Sequence, residues 1–352
     1  MPESFNATDD AGLAPAVALT MGDGRGIGPE VLLKALAGSG RIGRFKTLLI
    51  GCARLLRAQA ESLWPEPAGL PPAVRQALDT AIDVTEAGEL PAEAAGSGRL
   101  RDWLLAREAL AGRWAGRAVE KAVELTLAGR ASAIVTAPLD KHALNLGGYP
   151  FPGHTELLAH LAGDVEVAML LAGGSLRVVP ATTHVALARV PELVTVELLL
   201  SQCRVIARGL RRVFGIENPR IALCGLNPHL GDGGVAGTED QEITAPAVTA
   251  ACREGLAVAG PFPADTVFVR AAGGEFDCVL AMYHDQAMVA IKMHAFGKGV
   301  NVTLGLPFVR TSPDHGTALD IAGRGVADPG SMLEALTLAV NCCRVGRGGG
   351  KL

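Results

Sequence analysis

The 352-residue chain reads as an α/β protein of about two domains built on a mainly parallel sheet. Three observations predict this. Short β-rich runs alternate with longer Ala/Leu-rich helical patterns, which is the rhythm of βαβ units. The chain is longer than a single hydrophobic core usually organises, at roughly 150 residues per domain, and two domains leave a cleft. Apolar types make up 49% of the residues and charged types 19%, which supports a compact core and excludes a disordered chain. Aromatics are only 4%, so Ala, Val and Leu must fill that core.

AVALTMG followed by PEVLLKALA gives the first strand and helix, and KTLLIG with the helix after it repeats the unit. The segment from 64 to about 100, WPEPAGLPPAV through PAEAAGSGRL, is rich in Pro, Gly and Ala and reads as a peripheral insertion without chemistry. ASAIVTAP then leads into DKHALNL, and PRIALCGLNPH and DCVLAMYHDQ supply further strands. The closing GRGGGKL has no Ser or Thr after its lysine and no helix to follow, so it is a frayed end and not a P-loop. The 44 Gly have no collagen-like period and punctuate turns. Parallel sheets bind ligands in the loops at the carboxyl ends of their strands, where the polar residues of this chain gather.

Basic and acidic residues number 32 and 36, a near-neutral balance that argues against nucleic acid or an anionic membrane as the main partner. The start, MPESFNATDDAG, lacks the basic flank and apolar run of a secretory signal, and no stretch reaches about 18 uncharged apolar residues. The expected location is cytoplasmic. Seven cysteines include the pair Cys342-Cys343 but no CxxC, so they read as buried, inert thiols.

MGDGRGIGPE places Gly22, Gly24, Gly26 and Gly28 between a strand and a helix. Ile27 stands where a GxGxxG fingerprint needs its third glycine, and no acidic ribose partner follows about twenty residues on. The loop reads as a turn needing positive φ, with ligand contact open to Asp23. The histidines carry more. His184 in ATTHVAL, His229 in LNPHLGDGG and His284 in MYHDQ sit at strand ends. Any one could be a hydrogen-bonded structural residue, but three together match the ligand count of a catalytic metal site. Asp285 and Asp265 nearby could orient the imidazoles. His142, His160 and His294 fall in helical patterns and read as structural or surface groups. Lys292, Asn301 and Arg310 on successive loops suggest a phosphate or carboxylate site, against the plainer reading of solvated surface charge. His154 and Thr155 open a helix whose N-terminal amides favour an anion, with Glu156 in its first turn.

These motifs together, VTAPLDKHAL, FPGHTELLA, ATTHVALARV, CGLNPHLGDGGVAGTED, GPFPADTVF, MYHDQ and FGKGVNVTLGLPFVRTSPDHGTALDIAGRG, resemble the 4-hydroxythreonine-4-phosphate dehydrogenase family of vitamin B6 biosynthesis. The match runs from about Pro15 to near Cys343. The resemblance implies an isocitrate/isopropylmalate dehydrogenase-like fold, two α/β/α domains around a central cleft, divided as 1–140 plus 301–352 and 141–300. It implies a homodimer with a shared active site. His184, His229 and His284 match the family's divalent metal ligands, for zinc, cobalt or magnesium. His154, Thr155, Lys292, Asn301 and Arg310 match its substrate contacts, and NAD or NADP is the implied cofactor, bound without GxGxxG. The reaction implied is oxidation of 4-phosphooxy-L-threonine to a β-keto acid that decarboxylates to 3-amino-2-oxopropyl phosphate. Asp265 and Asp285 remain candidate bases. The first loop departs from the family's usual GDPAGIGPE, with Gly24 for proline and Arg25 for a small residue. An extra cation near the cleft keeps related substrates open, threonate or erythronate 4-phosphate or a dicarboxylated cis-dihydrodiol as in terephthalate degradation.

Overall fold

A computed structural model describes residues 14–90 and 97–348. Eleven strands form one sheet: β1 (Ala16–Thr20), β2 (Lys46–Gly51), β3 (Ile82–Asp83), β4 (Ala133–Thr136), β5 (Ala168–Gly173), β6 (Leu176–Pro180), β7 (Ile221–Cys224), β8 (Val258–Phe262), β9 (Cys278–Ala281), β10 (Val300–Leu304) and β11 (Val309–Pro313). Their order is β3-β2-β1-β4-β11-β10-β5-β6-β9-β7-β8. The outer groups are parallel, as the alternation predicts, but β10 runs antiparallel to both β11 and β5, and β5 antiparallel to β6. The sheet is therefore mixed at its centre. The division at 1–140 plus 301–352 and 141–300 falls between β10 and β5, with Val300 one residue across it.

Period-2 alternation sends successive strand residues to opposite faces, and both faces are covered. From β1, Val17 and Leu19 enter the core shared with Ala335, Leu336 and Ala339 of the helix Gly330–Gly348, whereas Ala18 enters the core shared with Ala118, Val119 and Ala122 of the helix Glu108–Leu127. In the other half, Leu171, Val178 and Val279 pack with Val267 and Ile291 from the helices Ala264–Ala272 and His284–Ala295. The opposite face there meets the helix Val196–Phe214. That helix is specified locally: Thr195 caps its first turn by accepting from Leu198 N at 3.1 Å, and Gly215 ends it in the left-handed conformation at φ 68°. Its buried stripe, Leu199, Cys203, Ile206, Leu210 and Val213, recurs every three or four residues.

The segment from 64 is not the expected peripheral insertion. Val74, Ala77 and Leu78 of the helix Pro72–Asp79 are buried in the main core, β3 lengthens the sheet edge, and Glu89 accepts from Trp114 Nε1 and Arg117. Residues 91–96 of that segment, and 349–352 of the glycine-rich end, lie outside the described residues. None of the seven cysteines is in a disulfide, and burial pushes Cys342 up to about 12, but Cys252 is exposed, contrary to the expectation of burial throughout. No helix among the described residues is long and apolar enough to cross a membrane.

Candidate functional site

A cavity of about 570 Å³ opens over the centre of the sheet, between the loops after β4, β6 and β11 and the helix His154–Leu161. The mixed register builds its floor. Asn301 pairs with Leu171 and Ser312, and Thr303 pairs with Met169, so these residues share one face with Arg310, two positions from Ser312. All but Thr303 line the cavity.

Arg310 is the central group. Its side chain is 2% exposed and no carboxylate among the described residues forms an ion pair with it; instead Nη1 donates to Thr303 Oγ1 at 2.9 Å and Nη2 to Thr136 Oγ1 at 2.7 Å. Burial pushes its guanidinium down to about 10, with Glu156 opposing the shift, so it stays charged at neutral pH. Its Nε is buried without a partner, as are His154 Nε2, Asn301 Oδ1 and His315 Nε2 around the same cavity. Buried polar atoms rarely go unpaired, and this cluster, donors and an acceptor beside a buried cation whose only opposing charge among the described residues is the exposed Glu156, suits a polar anionic ligand that can also donate. Burial, then the Arg310 charge, holds His154 well below the ordinary histidine range, so it is neutral at pH 7. Thr155 follows it at the helix start and also lines the cavity.

His184 and His284 face each other on the opposite wall, with ring centroids 5.5 Å apart. They follow β6 and begin the helix after β9, and those strands are parallel neighbours, which is why residues one hundred apart meet. His284 Nδ1 is 2.7 Å from Asp285 Oδ1. A carboxylate there favours the tautomer with the proton on Nδ1 and leaves Nε2 to ligate. Burial first, then Lys141 and His284, lowers His184 below the usual range and keeps its lone pair available. Two imidazoles at this separation fit part of a zinc-like donor set. The third expected ligand does not join them. His229 lies after β7 in the segment Pro228–Gly234, outside this cavity, and among the described residues no group of three or more His, Cys, Asp and Glu is gathered to hold a metal ion.

Other expected residues are also elsewhere. Lys292 is exposed on the helix His284–Ala295, and Asn301 and Arg310 lie in strands, so the three do not sit on successive loops. Neither candidate base lines the cavity: Asp265 and Asp285 border an apolar groove of about 720 Å³ between the helices Ala264–Ala272 and His284–Ala295. The glycine loop is buried. Asp23, 1% exposed, is taken by Arg25, whose Nη2 lies 2.7 Å from Oδ2, while Arg25 Nη1 reaches Glu108 at 3.1 Å. Arg25 is thus no extra cation for the substrate, and neither residue lines the cavity. Of the four glycines only Gly22 has positive φ, at 69°, and a Cβ there would meet Pro138 O at 2.1 Å. Sequence reading missed Lys141, Glu156 and His315 as cavity residues. The polar run SPDHG, which ends β11 and leads into its loop, was the available signal for His315; Lys141 follows the helix cap Asp140, where a solvated charge is the ordinary reading.

A covered α/β sheet holding a buried arginine across a cavity from paired imidazoles has the makings of an α/β enzyme site. Comparison with known proteins sharpens the class to dehydrogenases. The chain is 47% identical over 342 residues to 4-hydroxythreonine-4-phosphate dehydrogenase of Methylorubrum populi, covering 95% of each chain. It is 46% identical over 330 residues to D-threonate 4-phosphate dehydrogenase of Cupriavidus necator, covering 92% of this chain and 95% of the other. The crystal structure of 4-hydroxythreonine-4-phosphate dehydrogenase from Klebsiella pneumoniae superposes with a TM-score of 0.79 at 39% identity, over 95% of this chain and 99% of that one. Residues 50–339 match the family described as pyridoxal phosphate biosynthetic protein PdxA, and the chain belongs to that family.

Proposed function

We propose that this dehydrogenase oxidises 4-phosphooxy-L-threonine, with NAD or NADP accepting the hydride, to a β-keto acid that decarboxylates to 3-amino-2-oxopropyl phosphate. The observation that carries this reading is Arg310, buried with an unpartnered Nε beside the unpartnered Nε2 of His154 and Oδ1 of Asn301. A phosphate would accept from the guanidinium Nε and, in the tautomer with its proton there, from His154 Nε2, neutral His154 adding no second buried charge, whereas Asn301 Oδ1, an acceptor, would take a substrate hydroxyl or amine. Thr155 and the helix start add favourable dipole.

His184 and His284 would hold a divalent ion, zinc, cobalt or magnesium, with His229 as the third ligand. When bound, that ion supplies Lewis acidity for the substrate hydroxyl and for the carbonyl that follows. The described cluster holds only two of the three histidines, and Lys292 and Asp265 stand outside the cavity, so we infer that the site is completed across a homodimer. The apolar groove between the helices Ala264–Ala272 and His284–Ala295 supports this: Val269, Val289 and Met293 on its walls are 73%, 63% and 84% exposed. The buried Nε2 of His315, beside Asp314 and Gly316, would hydrogen-bond a second organic ligand such as the nicotinamide cofactor.

A second reading is supported by the Cupriavidus necator relative: the substrate is D-threonate 4-phosphate, with a hydroxyl where threonine has an amine. Measuring kcat/KM at fixed metal on 4-phosphooxy-L-threonine, threonate and erythronate 4-phosphates and a dicarboxylated cis-dihydrodiol, each with NAD and NADP, separates them. Preference for the amino acid supports the first reading, preference for threonate 4-phosphate the second. Turnover of the dihydrodiol alone overturns both.

A further inference from the structure

We propose that Asp240 is the positioning residue for His229, fixing the neck of the loop that carries this imidazole. The inference rests on the reading of His229 as a metal ligand. Asp240 is 1% exposed and both of its oxygens are used: Oδ1 accepts from Leu226 N at 2.8 Å and Thr244 Oγ1 at 2.8 Å, and Oδ2 accepts from Asn227 N at 2.9 Å. Asn227 Nδ2 in turn donates to Glu239 Oε2 at 2.7 Å. The chain is therefore held two residues before His229 by the residues that close the loop.

Between these clamps the backbone is unusual. His229, Leu230, Gly231, Asp232 and Gly233 are consecutive left-handed residues, at φ 52°, 58°, 81°, 44° and 65°. Three of the five have side chains, which disfavour this region, and such a conformation persists only where its surroundings over-determine it. Beyond the neck the described restraints are local: Leu230 packs against Gly225, Leu230 N donates to Asn227 O at 3.2 Å, Val235 N to Asp232 O at 3.3 Å, and Ala236 N to Gly231 O at 2.9 Å. Most of the loop's other residues are exposed. Asp240 also begins a single π-helical turn, Asp240–Thr244, whose irregularity places Thr244 Oγ1 on the same carboxylate. Ionised, Asp240 is an acceptor at both oxygens and matches three donors; an amide would turn an N–H towards one of them.

Cobalt binding to the full-length protein tests this. Asp240→Asn, Asn227→Ala and His229→Ala are titrated with Co(II), following the d–d absorption band, and thermal unfolding is measured without metal. Losing outer hydrogen bonds of a metal site typically weakens affinity about 10–100-fold, and Asp240→Asn is expected in this range with an altered cobalt band. Asn227→Ala, which cuts the bond to Glu239 and keeps Asn227 N on Asp240, should lie between it and wild type; if Asp240→Asn does not fold, Asp240→Glu decides the matter. Restoring the carboxylate in an Asp240→Glu variant should recover part of the affinity. If His229→Ala loses cobalt while Asp240→Asn and Asn227→Ala bind it as wild type does, the positioning role is wrong. If His229→Ala itself binds cobalt unchanged, the reading of His229 as a ligand is wrong.

Discussion

Arg310 concentrates the chemistry of this protein because the sheet has removed it from water without giving it a counter-ion. Replacing it with alanine should weaken substrate binding by about 1.5–3 kcal/mol, the value of charge-assisted hydrogen bonds, and leave metal content unchanged. Substrate titration and metal analysis of Arg310→Ala check both parts. Lysine should not rescue fully, since a point charge cannot keep bonds to Thr303, Thr136 and the ligand at once. His154 makes a pH signature. Folded, it resists protonation; unfolded, it titrates near 6.5, so below that pH the unfolded chain binds more protons and stability falls as acid is added. Thermal unfolding between pH 7 and pH 5 should show this slope, and His154→Gln should flatten it; an equal slope in both proteins would rule out His154 as its source.

The glycine loop between β1 and the helix Gly28–Gly38 shows how far an element can be read from residue types. Its glycines were legible as a turn, and the failure to match GxGxxG agrees with a loop packed inside the protein. What it packs against was not legible: Asp23 N donates to Pro138 O and Ile27 N to Thr317 O, tying the loop to residues beside both cavity walls. Breaking its buried ion pair with Arg25→Ala should destabilise the protein by about 3–5 kcal/mol, because Asp23 is left charged and buried. Removing both charges with Asp23→Ala and Arg25→Ala should recover much of that loss in a denaturant melt. The strands β1, β2, β4, β7 and β9 were visible as β-rich runs before helical patterns. At the centre of the sheet β5 and β10 lead into further strands and not into helices, and MLLAG-GS-LRVVP carries a two-residue hairpin signal, with Gly174 at φ 56° between β5 and β6. A search for βα alternation passes over antiparallel strands.

For the molecule as a whole, the exposed apolar groove between the helices Ala264–Ala272 and His284–Ala295 is where a mutation bears on assembly. A charge in its apolar wall, Val269→Glu with Met293→Glu, should leave the core intact, lower the mass in light scattering from dimer to monomer and abolish turnover together with it. A monomer that keeps full activity would contradict a shared site. Chelation should likewise remove activity, restored by zinc, cobalt or magnesium, and metal-independent turnover would contradict the role given to His184 and His284.

The residues alone carried the α/β class, the near-neutral surface, the three conspicuous histidines and the anion-binding types, because these depend on local pattern and on side-chain chemistry. They could not say that Arg310 lacks a counter-ion, that Arg25 already has one, or that His184 meets His284 but not His229 within the described chain. Those facts depend on strand order and on burial. Strands β4, β10, β11, β6 and β9 bring together positions more than one hundred residues apart, and only their pairing determines which charges are left for a ligand to meet.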